Sequence, residues 1–231
     1  MSLEVTYKGS QIAQLTQDGS LTLNTAGKYC EGDIGLTYTG DGGEPSLPPG
    51  YTRLKYIEGT GTQYLILPYS PNIKTRVRIR SFRTSSQSYS SCQFGTSNPT
   101  CQASGIYIAF GNVADRTGRF NPDYDVQEYT FDKDYIKDEE GNILVNIGAT
   151  SISTAKNAVF GVVCRINCDT LQVDRIEKSR LYKFEISEDD EVMILLYPAL
   201  RDSDNEVGAY DVVNDVFYTN AGTGAFVGGL L

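Results

Sequence analysis

The chain has 231 residues, of which 40% are hydrophobic and 21% charged, and its net charge at pH 7 is −9. These values are typical of a folded protein of one or two domains. Histidine is absent, which excludes Ser-His-Asp and Cys-His nucleophiles and every histidine metal ligand. The acidic balance argues against nucleic acid as a partner, because phosphate binding needs clustered positive charge. No membrane insertion and no signal peptide are expected, because no apolar stretch approaches ~20 residues and the N-terminus lacks an apolar segment.

The N-terminal segment predicts a small β-meander, because strand-like runs alternate with turn signals. The runs are Glu4–Lys8, Gln11–Leu15, Ser20–Leu23 and Ile34–Tyr38. The stretch that follows combines glycines with prolines, which continue neither a helix nor a central strand. We therefore expect a small module over residues 1–39, a linker over residues 40–49 and a larger domain over residues 50–231.

The larger domain has the pattern of β-strands throughout. Residues 73–80 alternate strictly, with Val77 and Ile79 on one face and charged side chains on the other. Further runs are rich in β-branched or aromatic residues, and they are Gly105–Phe110, Ile143–Ile147, Ala158–Cys164, Leu171–Ile176, Leu181–Ile186 and Val192–Tyr197. No long amphipathic helix is indicated. Many short strands predict a two-sheet sandwich or jelly roll.

The charged face of this first long strand forms the strongest positive feature of an acidic chain. It comprises Lys74, Arg76, Arg78 and Arg80, and we expect Arg83 to continue it. One hypothesis is a docking surface for anionic wall polymers or for an acidic neighbouring subunit. The alternative, which we favour, is a solvated sheet face or an edge strand protected by like charge against aggregation.

An acidic and aromatic segment is the candidate carbohydrate site. Asp123, Tyr124, Asp125 and Tyr129 combine carboxylates, which accept hydrogen bonds from hydroxyls, with rings that stack on sugars. Tyrosines and acids also populate ordinary loops of β-sandwiches, and that alternative stays open.

Two other acidic runs predict loops. Residues 188–191 are four consecutive acids, so neighbouring carboxylates point to opposite faces, unlike the alternating acidic strand of jelly-roll glycoside hydrolases. We therefore expect a solvated hairpin loop there. Residues 202–206 have the opening rhythm of a calcium loop, but Val207 and Val213 replace the glycine and glutamate of an EF-hand. A looser calcium site stays open, and no metal or cofactor is expected.

The five cysteines are an odd number, so at least one stays unpaired within the chain. With no export signal, reduced thiols are expected. Cys164 and Cys168 lie in an apolar run, which favours buried thiols over a zinc site. Cys92 and Cys101 flank a polar loop, and a disulfide closing that loop stays open.

Two long motifs of the larger domain are similar to a known family. Leu47–Tyr64 resembles the opening, and Val207–Phe226 the end, of a domain common in phage and prophage tail proteins of Gram-positive gut bacteria. The resemblance covers Leu47–Leu231 and implies a concanavalin A-like (laminin-G-like) jelly roll, in which the first and last strands are neighbours. The N-terminal segment resembles small β-modules that precede such jelly rolls. The implied fold is thus all-β, a β-meander module followed by a jelly-roll β-sandwich.

Packing and turn geometry account for the residues of both motifs, so we expect these residues to determine the fold. We expect Tyr56, Ile57, Tyr64 and Leu65 to pack inward. The Gly-Thr-Gly segments 59–61 and 222–224 predict positions where a side chain would clash or φ is positive. Asn220 predicts a turn in which asparagine takes the left-handed region.

The resemblance implies a non-enzymatic structural protein of the virion, located in the tail or on the capsid after synthesis in the bacterial cytoplasm. Its jelly roll would serve adhesion to the host surface, with a glycan as the expected ligand, or decoration of the particle. The N-terminal module would bind other virion proteins, and a homo-oligomer is compatible with this role. Two alternatives stay open, a bacterial surface adhesion module and a glycan hydrolase. The hydrolase would use carboxylates among Asp123, Asp125, Asp132 and Asp134.

Overall fold

A computed structural model describes residues 3–7, 10–15, 21–23, 45–72, 74–84, 92–97, 105–109, 112–113, 126–132, 135–146, 159–167, 170–174 and 176–231. Within these ranges every helix or strand is a β-strand, which confirms the all-β prediction. The same ranges hold no helix that could cross a membrane. The chain divides into two compact units, Met1–Pro45 and Ser46–Leu231.

The first unit contains a three-stranded antiparallel sheet. Its strands are β1 (Leu3–Tyr7), β2 (Ser10–Leu15) and β3 (Leu21–Leu23), and they lie in the order β1-β2-β3. Each strand is the hydrogen-bonded neighbour of the next, which is the order expected of a meander. The fourth predicted strand, Ile34–Tyr38, lies outside the described residues.

The second unit contains two larger sheets. Its strands in chain order are β4 (Tyr51–Arg53), β5 (Tyr56–Thr60), β6 (Leu65–Leu67), β7 (Thr75–Arg83), β8 (Cys92–Ser97), β9 (Gly105–Ala109), β10 (Asn112–Val113), β11 (Gln127–Asp132), β12 (Tyr135–Lys137), β13 (Ile143–Asn146), β14 (Phe160–Val162), β15 (Arg165–Asn167), β16 (Val173–Asp174), β17 (Lys178–Glu188), β18 (Glu191–Arg201), β19 (Glu206–Asp211), β20 (Val216–Tyr218) and β21 (Val227–Gly229).

The large sheet is antiparallel and has the order β13-β12-β11-β7-β17-β18-β19-β20. In addition, β5 pairs with both β17 and β21, and β4 pairs with β18. The second sheet has the order β10-β9-β8-β14-β6, and β15 joins it by pairing in parallel with β8. The strands β7 and β17 therefore lie in the middle of the large sheet, between β11 and β18.

The alternating pattern of β7 determines which of its faces is buried. Thr75, Val77 and Ile79 are buried, and so are Ser81 and Arg83, which continue the same side of the strand. Side chains of a strand alternate between the two faces of its sheet. The even-numbered residues of β7 therefore lie on the opposite face, which we call the outer face.

Phenylalanine rings from both sheets form the centre of the core. Phe94 of the second sheet contacts Phe131 and Phe184 of the large sheet, with ring centroids 6.1 and 5.9 Å apart. Phe160 of the second sheet stacks on Phe94 at 5.9 Å. All four rings are 0–1% exposed. Full burial of one such side chain contributes about 1.5–3 kcal/mol, so these contacts hold the two sheets face to face.

The family resemblance implies that the first and last strands are neighbours, but the last strand of the second unit, β21, pairs with the second strand, β5, while the first strand, β4, pairs with β18. Strand β21 pairs antiparallel with β5, so that Gly228 lies opposite Ile57. The loop before β21 also contacts the segment after β5, because the backbone N–H of Thr223 donates to the carbonyl of Thr62 over 3.1 Å. The two motifs at opposite ends of this unit therefore meet in the fold.

The backbone conformation or close packing requires glycine at specific positions of these motifs. Gly61 and Gly224 have φ values of +108° and +77°, which side-chain-bearing residues rarely adopt. A Cβ on Gly222 would lie 1.9 Å from the carbonyl oxygen of Thr62, whereas a Cβ on Gly59 would make only ordinary contacts. The prediction of clash or positive φ is therefore confirmed for three of the four glycines.

Three other expectations for the end motifs need correction. Asn220 stabilises its turn with its side chain rather than with a left-handed backbone, since its Oδ1 accepts from the N–H groups of Tyr64 (3.1 Å) and Gly222 (2.8 Å). Ile57 is buried, but Tyr56 is only half-buried because adjacent residues of a strand face opposite sides. Tyr64 is half-buried as well.

Candidate functional site: the outer face of the large sheet

The outer face of the large sheet brings together side chains from β7, β11, β12, β17 and β18. In the strand register Arg76 lies between Asp132 of β11 and Ser187 of β17. Arg78 lies in the next row, between Thr130 and Glu185. Residues directly opposite each other on neighbouring strands have side chains on the same face, so each row presents a line of polar groups across the sheet.

These rows border a groove of about 410 Å³, which we call the charged groove. Both signs of charge line it, and the side chains that matter most are Arg76, Arg78, Asp132, Lys137, Glu185 and Asp190. A hydroxyl group both donates and accepts hydrogen bonds. A site that combines guanidinium donors with carboxylate acceptors can therefore bind a hydroxyl group in both ways.

Two cations at and just before the start of β7 form ion pairs with carboxylates of neighbouring elements. Lys74 forms an ion pair with Asp189. Arg76 donates to Asp190 over 2.7 Å and lies 3.7 Å from Asp132. The predicted basic stripe therefore lies on one face, but it is not an uncompensated positive surface.

The same compensation continues across the face. Arg78 forms an ion pair with Glu128, and the Nζ of Lys137 lies 3.4 Å from the Oδ2 of Asp132. Lys183 of β17 lies 3.7 Å from Glu185. Arg80 is exposed and lies near the ring of Tyr182, with its guanidinium carbon 6.0 Å from the ring centroid.

The acidic run at residues 188–191 forms the hairpin between β17 and β18, as predicted. Asp189 and Asp190 are its two turn residues, with φ values of 47° and 68°. Positive φ at both central positions is typical of the tight turns whose twist suits a two-stranded hairpin. Both carboxylates point to the cations of the outer face, which explains why acids occupy this turn.

Glu188, the last residue of β17, accepts two hydrogen bonds from the segment that precedes β7. The donors are the hydroxyl of Tyr69 (2.6 Å) and the side-chain amide of Asn72 (2.8 Å). Burial, and then the hydrogen bond to Glu188, raise the pKa of Tyr69 above its ordinary range. These contacts attach the start of β7 to the hairpin, so this carboxylate has a structural role.

Arg83 does not continue the basic stripe. It lies on the inner face, where its side chain is 1% exposed and its Nε donates to Glu177 over 2.7 Å. The expectation that Arg83 extends the stripe is wrong, because an odd-numbered residue of β7 faces the core. Burial raises the pKa of Glu177 to about 7, although the charge of Arg83 opposes this shift.

A group of aromatic rings extends the outer face beyond the charged groove. Phe82, Tyr182 and Tyr56 form what we call the aromatic shelf, and all three rings are half-buried. Tyr56 and Tyr182 have centroids 5.7 Å apart. The guanidinium carbon of Arg180 lies 4.5 Å from the centroid of Tyr56 and 5.6 Å from that of Phe82.

A β-bulge and a glycine explain why the shelf forms. The register of β17 against β7 shifts between Leu181 and Lys183, which places Tyr182 at the irregularity. A bulge redirects the side chains around it. Across the sheet, the ring of Tyr56 covers Gly229, where a Cβ would lie 2.3 Å from a ring carbon. Sequence periodicity does not indicate the bulge, so the sequence alone does not predict the shelf.

Of the four candidate carbohydrate residues, the structure describes only Tyr129. Asp123, Tyr124 and Asp125 lie outside it. Tyr129 is 3% exposed and belongs to the hydrophobic core. Its ring faces the second sheet, so it is not available for stacking on a ligand of the outer face.

The candidate metal positions have other roles where they are described. Asp204 accepts from Arg201 at both oxygens, over 3.0 and 2.7 Å, and Asp202 accepts from Thr52 over 2.8 Å. Among the residues that the structure describes, no group of three or more cysteine, aspartate or glutamate side chains could hold a metal ion. Cys164 is fully buried, while Cys101 and Cys168 lie outside the described residues.

Comparisons with protein-family models, with curated proteins and with solved structures found no match for this chain.

Proposed function

We propose that this chain is a non-enzymatic structural protein of a phage or prophage virion. In this proposal the second unit is a concanavalin A-like jelly roll, displayed for adhesion to a host-surface glycan or for decoration of the particle. The observation that carries it is the contact between the two end motifs, in which the backbone N–H of Thr223 donates to the carbonyl of Thr62 and Asn220 binds the backbone of Tyr64. The resemblance to phage and prophage tail proteins implies that the first and last strands are neighbours, and here the last strand, β21, pairs with the second strand of the unit, β5.

The outer face supports an adhesive role for this unit. Its charged groove presents donors and acceptors that are held in place by ion pairs such as Arg76–Asp190. Groups that are already oriented lose little conformational entropy when a ligand binds. Many copies on one particle would add avidity, so that even a weak single site holds a particle to a cell.

The contacts of Asp132 support a non-enzymatic role over a glycan hydrolase. It is the one described residue among the four candidate acids of that alternative, and it lies 3.7 Å from Arg76 and 3.4 Å from Lys137. Glycoside cleavage uses a pair of carboxyl groups that flank the scissile bond, whereas the partners of Asp132 in these ion pairs are cations.

The first unit supplies the attachment in this proposal. Its sequence resembles the small modules that precede such jelly rolls, and we assign to it the contact with other virion proteins. Three short strands bury little apolar surface alone, and they gain stability by docking on a partner.

Immunogold electron microscopy tests the proposal. Antibody against this chain is applied to a lysate that contains induced particles and host cells, with particles from a deletion strain as the control. We expect gold on the particles, at the tail end for an adhesion role and over the head for decoration. Gold only on cell walls, with bare particles, contradicts the virion assignment and favours a bacterial surface adhesin. Release of reducing ends from host wall polysaccharide, abolished by Asp132→Asn, contradicts the non-enzymatic assignment.

A further inference from the structure

We propose that the charged groove and the aromatic shelf together form one binding face for a neutral polysaccharide chain, and that this face rejects polyanions. The inference rests on the proposed adhesive function and names the ligand class that the outer face takes. It replaces the hypothesis of a basic surface for anionic wall polymers.

The charges of the face carry the first part of the argument. Lys74, Arg76 and Arg78 each form an ion pair with a carboxylate from another element. A phosphate or carboxylate ligand would lie beside these acids and be repelled by them, and it would also bind against the chain's net charge of −9. The positive potential that draws a polyanion to a surface is therefore reduced here.

The same ion pairs suit a ligand rich in hydroxyl groups. A guanidinium has more N–H donors than one carboxylate uses, and each carboxylate has further lone pairs. Arg76 is held by Asp190 while 41% of its side chain stays exposed, and Asp190 is 85% exposed. Both partners can therefore bind hydroxyls without breaking their own contact.

The aromatic shelf supplies the apolar contact that sugar rings need. Tyr182 and Tyr56 lie next to each other, and Arg80 and Arg180 lie over their rings. The faces of sugar rings are covered with C–H groups, which pack on aromatic faces while the hydroxyls at the rim bind polar groups. A row of side chains without rings would hold a hydroxylated chain only by polar contacts, which water competes for.

The length of the face matches a polymer rather than a single sugar. Arg76, Arg78, Arg80 and Phe82 follow one another along the outer side of β7, and at about 3.3 Å per residue they extend over roughly 20 Å. The groove lies at the Arg76 end and the shelf at the Phe82 end. A chain of several sugar units, lying along β7, contacts both.

Affinity electrophoresis of the full chain tests the ligand class. The gels contain a neutral polymer (galactomannan, xyloglucan, dextran or polyrhamnose) or a polyanion (poly(glycerol phosphate) or polygalacturonate). We expect at least one neutral polymer to retard the protein and neither polyanion to do so. Retardation by a polyanion, or by none of the neutral polymers, overturns the proposal.

Tyr182→Ala tests the shelf against Tyr182→Phe as the matched control. Removal of the ring is expected to weaken binding of the neutral polymer by about tenfold, whereas the phenylalanine variant keeps the ring and binds almost as well as the wild type. Equal binding by the alanine variant overturns the role of the shelf. Thermal unfolding of both variants identifies any loss that comes from misfolding.

A second variant tests charge compensation without touching the shelf. Asp132→Asn combined with Asp190→Asn releases Arg76, and we expect this protein to gain retardation by poly(glycerol phosphate). Asp202→Asn combined with Asp204→Asn is the control, because it changes the net charge equally but releases only Arg201, which lies away from the stripe. The absence of any gain in the first variant, or an equal gain in both, overturns the charge argument.

These experiments separate the inference from the proposed function. Labelled particles that bind host cells, together with a protein that polyanions retard, contradict the ligand class while the virion role stands. Bare particles contradict the virion role, whatever polymer the isolated protein binds.

Discussion

Arg76 and Arg83 belong to the same strand, β7, and each forms an ion pair, but their surroundings are opposite. Arg83 and Glu177 are buried between the sheets, with 1% and 2% of their side chains exposed. Arg76 and Asp190 face solvent, with 41% and 85% exposed. A buried pair is costly to break because one charge is left without water, whereas an exposed pair contributes little to stability. The ion pair on the inner face therefore stabilises the fold, whereas the pair on the outer face leaves charged groups exposed to solvent.

The largest difference is expected for removal of the buried cation. Arg83→Ala leaves the Glu177 carboxyl in the core without its ion-pair partner, so above its pKa of about 7 we expect the free energy of unfolding to fall by about 3–5 kcal/mol. Urea denaturation of the full chain measures this loss. Arg83→Met combined with Glu177→Met should recover most of it, because no buried charge remains. A loss below about 1 kcal/mol for the single variant would contradict the role assigned to the pair.

The pH dependence of the free energy of unfolding provides a second test of the buried pair. Burial raises the pKa of Glu177 from 4.5 to about 7 in the folded protein, so the folded carboxyl keeps a proton that the unfolded chain has released. The resulting stability is fully present below pH 4.5 and is lost as the pH rises through about 7. Glu177→Gln should remove this dependence, which is of the order of 3 kcal/mol. Urea midpoints between pH 4.5 and 8 that run parallel for both proteins would refute it.

A smaller effect on stability, of opposite sign, is expected for Asp190 in the turn between β17 and β18. Asp190 has a φ of 68°, which glycine adopts without steric cost. Asp190→Gly should raise stability by up to about 1 kcal/mol, because relief of the backbone exceeds the loss of the exposed pair with Arg76. Thermal unfolding measures this gain, and Asp190→Asn, which removes only the charge, is the control. Destabilisation by the glycine variant would show that the exposed pair matters more than the backbone.

The smallest effect is expected for the exposed cation itself. Arg76→Ala should change the free energy of unfolding by less than about 1 kcal/mol, because Asp132 and Asp190 stay in contact with water. Urea denaturation at low and at high salt checks this, and salt should reduce the difference further. A loss as large as that of Arg83→Ala would mean that the two faces of β7 do not differ as described.

Much of the second unit could be predicted from local pattern. The alternating pattern around Val77 and Ile79 predicts strand β7 and the face on which each of its side chains lies, because side-chain direction along a strand depends only on sequence separation. The acids at residues 188–191 predicted a hairpin, and Asp189 and Asp190 form its turn. Such features need no knowledge of distant residues.

The aromatic shelf could not be predicted in this way. Tyr182 lies at a bulge, which depends on how β17 aligns with β7 and not on the residues of β17 alone. Tyr56 was expected to pack inward together with its neighbour Ile57, but adjacent residues of a strand face opposite sides. Its outward position follows from the pairing of β5 with β17 and β21, in which Ile57 takes the buried side.

The sequence by itself determined the all-β character, the alternation of β7 and the presence of Arg76, Arg78 and Arg80 on one side of that strand. Only the tertiary structure decided that Arg76 and Arg78 are paired with carboxylates outside and that Arg83 is paired inside. The partners Asp190 and Glu177 lie 114 and 94 residues away from Arg76 and Arg83 along the chain. Charge compensation depends on which strands become neighbours, and that is set by packing of the two sheets around the phenylalanine core rather than by any local pattern.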